Sequence, residues 1–133
     1  PGTVLVTTAT FELTELYFNG HVHIPSTQAD AELSQVVSDA INAGDVDVFG
    51  LTMTVLANDT SVVRWQVAVT IPTAQIGALD ARHASPAFVA SIGSSAQLIG
   101  GTHSHSLYQT SGGVDASAVA VLATAPPPPS PPI

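Results

Sequence analysis

The chain has 133 residues, 45% of them hydrophobic and only 9% charged, and it has no cysteine. One domain of that length and apolar content forms a core without disulfide staples, and thiol chemistry and thiolate metal sites are excluded. Ten carboxylates stand against two cations, Arg64 and Arg82, for a net charge of −8, which repels nucleic-acid phosphates and anionic lipid, and no apolar run reaches transmembrane length.

Pro1-Gly2 at the start, in place of Met, reads as a mature product or an excised segment. Thr7 to Leu16 alternates, with Ala9, Phe11 and Leu13 on one face and Thr8, Thr10, Glu12 and Thr14 on the other, which predicts a half-buried strand. Val4 and Val6 fall out of phase with that face, as an added strand segment, a bulge or a strand paired with another subunit would require. Asn19-Gly20 signals a turn, and Pro25 with Ser26-Thr27 opens a helix whose apolar stripe is Leu33, Val36, Val37, Ala40 and Ile41. Asp30 and Glu32 suit its first turn and Gly44 its C-cap.

Val46 to Leu56 predicts a second strand with Phe49, Leu51, Met53 and Val55 inward, and Val62 to Ile71 a third with Val63, Trp65, Val67, Val69 and Ile71 inward. The short Asn58-Asp59 turn between them makes an antiparallel hairpin. A helical region follows from Ala74 to about Ile99, broken at Ser85-Pro86, with Phe88, Val89, Ile92, Ala96 and Ile99 on its apolar face. Thr102 to Gly113 is polar and rich in glycine and serine, which reads as a loop. Asp115 to Thr124 reads as a last strand covered on both sides. The order β-α-β-β-α-β predicts an α+β, ferredoxin-like sandwich: one antiparallel sheet with two helices on one face, over residues 1–124. Residues 125–133 form a separate arm. Its run of Pro126, Pro127, Pro128, Pro129, Ser130, Pro131 and Pro132, closed by Ile133, joins neither helix nor central strand and takes up polyproline II, reaching roughly 25 Å at about 3.1 Å per residue.

A module of this order ending in PPPPSPP resembles the repeated domains of volvocine green-algal extracellular-matrix and cell-wall glycoproteins, the hydroxyproline-rich class. The matching elements are the helix Ala29 to Ala43, the hairpin Val46 to Ile71, the FVASIG helix from Phe88 to Gly93, and the arm Pro126 to Pro132. The resemblance implies hydroxylation and O-glycosylation across Pro126–Pro132, Ser130 included, and a role in walls, matrix or surface fibrils.

Asn58-Asp59-Thr60 is an N-glycosylation sequon placed at a turn. Two H-x-H pairs, His21/His23 and His103/His105, would present four imidazoles to one metal if brought together, yet no cysteine or carboxylate pattern accompanies them, and surface histidines are the plainer reading. Asp45 and Asp47 share one side of a strand start without the spaced oxygens of a calcium loop. Asp80, Arg82, His83 and Ser85 have no nucleophile elbow or oxyanion loop around them, and read as a helix surface. Trp65 is phased as a core anchor. Tyr17, Phe18 and Tyr108, with Val4, Val6 and Ile133, are candidate contacts for assembly, since aromatic grooves hold polyproline rods. The expectation is a non-catalytic extracellular subunit without cofactor, bearing glycans and partnered by copies of itself, not by nucleic acid or a membrane. A stalked carbohydrate-binding or adhesion module and a pilus-like subunit using strand donation are the alternatives, the latter placing Thr3 to Thr8 in a neighbour's sheet.

Overall fold

A computed structural model describes residues 3–18, 20–24, 26–59, 61–99 and 101–124. The proline run and Ile133 lie outside the described residues, as do Asn19, Pro25 and Thr60. The described chain is α+β: strand β1 (Thr3–Tyr17), helix α1 (Thr27–Asn42), strands β2 (Gly50–Asp59) and β3 (Val62–Pro72), helices α2 (Ile76–Ala84) and α3 (Pro86–Ile99), then β4 (Ser106–Asp115) and β5 (Val121–Thr124). The five strands form one antiparallel sheet in the order β2-β3-β1-β4, with β5 also paired to β1.

β1 is the spine because its alternation is sustained over the eleven residues from Thr7 to Tyr17. Ala9, Phe11 and Leu13 point to the core, where they meet Val63, Trp65, Val67, Val69 and Ile71 of β3. The helices close over that face with the expected stripes: Leu33, Val36, Val37, Ala40 and Ile41 from α1, and Phe88, Ile92 and Ala96 from α3. Each large aliphatic or aromatic side chain so buried stabilises the fold by about 1.5–3 kcal/mol. The opposite sheet face keeps Thr8, Thr10 and Thr14 with an ion pair of Glu12 and Arg64.

Helix starts follow the expected chemistry. Ser26 caps α1, its Oγ accepting from the backbone N–H of Ala29 at 3.2 Å. Ser85 separates α2 from α3 in extended conformation, and Pro86 opens α3. The C-terminus of α1 differs. Its cap is Ala43, and the left-handed residue is Asp45 (φ 63°), not Gly44. Gly44 is needed for another reason: a Cβ there would come within 2.7 Å of Arg82 Cδ. The close approach lets Arg82 lie across the helix end and donate Nε–H to the carbonyl of Ala40 at 2.8 Å, where a cation complements the helix dipole.

Several sequence expectations are corrected. The predicted loop from Thr102 to Gly113 is instead the turn Gly101–His105 followed by β4, paired with β1 from Thr10 to Tyr17 and bulged where Gly112 adopts φ 69°. The last strand is short, and Val119, Val121 and Leu122 are exposed rather than covered on both sides. β2 begins at Gly50, so Asp45 and Asp47 stand in the preceding turn, where Asp47 exchanges two hydrogen bonds with Gln75. Val55, paired with Trp65 at the last rung before a register shift to Ala57, is exposed rather than covered. Val4 and Val6 belong to β1 itself, and Thr3 to Val6 pairs with β5 of the same chain, so Thr3 to Thr8 lies in its own sheet.

Candidate functional site

Beyond Leu13 the inward phase of β1 delivers a carboxylate, Glu15, then Tyr17. Glu15 is completely buried, and four donors surround it. Trp65 Nε1–H donates to Oε1 at 3.1 Å, while Oε2 accepts from His103 Nδ1 at 2.8 Å, Ser106 Oγ at 2.7 Å and the Tyr108 hydroxyl at 2.7 Å. The second nitrogen of His103, Nε2, donates to Asp30 Oδ1 at 3.0 Å, at the first turn of α1. With a carboxylate on each ring nitrogen, His103 is held as an imidazolium between two anions.

Opposing effects set the charges. Burial pushes the Glu15 carboxyl up, but the hydrogen bond and charge of His103, with Tyr108 and Ser106, outweigh it and hold the group at about 2. Burial pushes the His103 imidazole down, and the bonds and charges of Glu15 and Asp30 reverse that, so its pKa is raised. Burial, with the Glu15 charge, pushes the Tyr108 hydroxyl far above its usual range, so it remains a donor.

The structure brings the two H-x-H pairs together. The exposed rings of His21 and His105 stack at 3.9 Å, and those of His23 and His103 lie 5.8 Å apart inside them. His23 and His103 are therefore buried rather than surface histidines. His23 Nδ1 is 3.3 Å from the Tyr17 hydroxyl, and its ring meets Trp65 edge-on at 5.4 Å. One donor atom each from Glu15, His23 and His103 lie within 4.8 Å of one another.

The other sequence candidates scatter. Asn58 is exposed at the end of β2, opposite Val63. Of the assembly candidates, Val6, Tyr17 and Tyr108 are buried in this chain's own core and present nothing to a neighbour, whereas Phe18 is exposed and Val4 half-buried. Trp65 is the anchor expected, with its indole N–H spent on Glu15.

Arg82, His83 and Ser85 do not converge with Asp80 on a reaction centre; Arg82 bonds the end of α1, and Ser85 Oγ accepts from the Ala87 N–H. His83 packs edge-on to Phe11 at 5.0 Å, and its Nε2 is buried without a hydrogen-bond partner. Burial lowers the His83 pKa against the pull of Asp80, so the ring is neutral at pH 7. An orphaned buried polar atom costs about 1–3 kcal/mol. We expect His83→Leu, which removes the atom at similar volume, to stabilise the chain by about 1 kcal/mol in urea unfolding, allowing for the lost ring contact; an unchanged or lowered midpoint would contradict this.

Among the described residues no helix is long and apolar enough to cross a membrane. Compared with family models, curated proteins and solved structures, the chain matches none.

Proposed function

We propose that the chain is a non-catalytic building block of an extracellular glycoprotein fibril, assembling head-to-tail with copies of itself, on a fold we read as ferredoxin-like with its second helix split and β5 added. The observation that carries this reading is a pair of unlike apolar patches at opposite ends of β1. At one end Leu5, Val121 and Leu122 are 47%, 58% and 71% exposed, on a two-stranded ribbon where Thr3 to Leu5 reaches past β3. Beyond the other end Phe18, Val22 and Ile24 are 40%, 40% and 61% exposed.

Contacts between unlike patches do not close on themselves, so they propagate as a filament. With about 3.3 Å per strand residue, a strand of β1's length sets an axial repeat near 50 Å. The polar cluster favours a structural role, because its donors and carboxylates satisfy one another. Phe18 is the exposed aromatic side chain among the described residues, and it suits a proline arm arriving from the next copy. The sequon at Asn58 and the prolines 126–129, 131 and 132 would carry the glycans.

End-specific substitutions test the assembly. We expect the wild-type chain to form concentration-dependent chains in sedimentation velocity and electron microscopy. Val121→Asp with Leu122→Asp, or Phe18→Ser with Ile24→Asp, should each stop growth alone, and mixing the two variants should restore heterodimers. A wild-type chain that stays monomeric at high concentration, or variants that grow undiminished, would refute it. Intact-mass measurement on native material should find pentose or hexose on the proline run.

A further inference from the structure

Glu15, His23 and His103 come from three separated stretches: β1, the segment 20–24 and the turn Gly101–His105. All three are buried, and each is oriented by a further group. Asp30 holds His103 Nε2, leaving Nδ1 directed at Glu15. The Tyr17 hydroxyl lies against His23 Nδ1. Ser106 and Tyr108 fix Glu15 through Oε2, while Oε1 accepts from Trp65. Imidazole ligands whose second nitrogen is held by a carboxylate or hydroxyl, beside a carboxylate itself hydrogen-bonded, are the supporting arrangement of a transition-metal site.

From this geometry we propose that Glu15, His23 and His103 bind one divalent cation of the zinc type. Two nitrogens and one oxygen suit a borderline ion and disfavour calcium or magnesium, which require mostly oxygen. Ligands on a tetrahedral ion with bonds of about 2.0–2.1 Å stand about 3.3 Å apart. Binding releases the Nδ1 proton of His103 to solvent, its 2.8 Å separation from Glu15 Oε2 opens slightly, and the His23 nitrogen, within 4.8 Å of the other two donors, closes on the ion. Asp30, Ser106, Tyr108 and Trp65 keep their bonds, and water completes the coordination. Because the ligands are distant in sequence, the ion cross-links β1 to both histidine segments and stabilises the folded chain.

The competing explanation is chelation by the exposed, stacked His21 and His105, and the variants separate the two. We expect the full chain, stripped with chelator, to take up one equivalent of Zn²⁺ by calorimetry. Its Tm should rise by roughly 10 °C with free zinc about a hundredfold above Kd. Co²⁺ should give the visible bands of a tetrahedral site. His23→Gln should abolish these effects, and the double variant His21→Gln with His105→Gln should retain them. Imidazole ¹⁵N spectra of the wild-type chain give a readout independent of variant folding: one equivalent of Zn²⁺ should shift the His23 and His103 ring nitrogens and leave His83 unmoved. Absence of stoichiometric uptake, or uptake lost with His21 and His105 but kept without His23, would overturn the site.

Discussion

Glu15→Ala should come close to unfolding the protein. The substitution takes the acceptor away from the Trp65 indole, the His103 imidazolium, the Ser106 hydroxyl and the Tyr108 hydroxyl at once. Breaking a buried ion pair from one side costs about 3–5 kcal/mol, and the Trp65 and Tyr108 donors left unpaired add to it, while the Ser106 hydroxyl keeps the His103 carbonyl at 3.0 Å. Against a total of about 5–15 kcal/mol for a typical domain, a loss of at least 4 kcal/mol, roughly, is expected. The midpoint of urea unfolding measures it, with Thr14→Ala on the outer face of the same strand as a control expected to change stability by about 0.5 kcal/mol or less. Glu15→Gln should fall between the two, since the carboxamide keeps one acceptor oxygen but turns an NH₂ toward donors. A Glu15→Ala chain within about 1 kcal/mol of wild type would mean the four bonds contribute little net stability.

Stability should pass through a maximum in mildly acidic solution and fall on both sides. The Glu15 carboxyl has its usual value of 4.5 when unfolded and about 2 when folded. Its contribution is complete above 4.5 and is lost as pH falls toward 2, a decline of about 3 kcal/mol at 1.36 kcal/mol per unit. His103 has the opposite sign. Its folded value is raised above 6.5, so its contribution is complete below 6.5 and is lost as pH rises through the folded value. The groups facing the pair are Asp30 from α1, Trp65 from β3, Ser106 and Tyr108 from β4, and His23. Urea midpoints measured against pH, with chelator present to keep metal out, should trace the maximum between the two unfolded values. Asp30→Asn should weaken the alkaline limb specifically. A midpoint that climbed steadily from neutral into alkaline solution would be incompatible with an imidazolium at His103.

The parts of this fold that rest on apolar periodicity were legible in the residues. β3 and α1 bury the side chains their patterns name, and the break at Ser85-Pro86 falls where capping chemistry puts it. β4 was hidden because its pattern is inverted. Its inward residues Ser106, Tyr108 and Thr110 are polar, the first two as donors to Glu15, while Leu107 faces outward at 60% exposure. Glu15 carried a signal, since it continues the inward phase of Ala9, Phe11 and Leu13, and a carboxylate there demands buried partners. The convergence of the two histidine pairs carried no local signal, because about eighty residues separate them and only the pairing of β4 with β1 brings them side by side. The apolar run before Thr124 predicts a covered strand, whereas Val121 and Leu122 on the ribbon stand in the open.

The pairing of Thr3 with Thr124 also bears on how this unit would transmit tension. Polypeptide continuing past either residue leaves from the same corner of the molecule. A pull along the backbone through both would peel β5 from β1 one rung at a time, as a zipper opens, and yield at low force. Stress routed instead through the patches at the two ends of β1 would run along the covalent backbone of that strand, which its eleven pairs with β3 from Val6 to Leu16 hold straight. A strong thread of such units would therefore be held by its joints, with each unit hanging from its covalent tether like a bead from a loop of string.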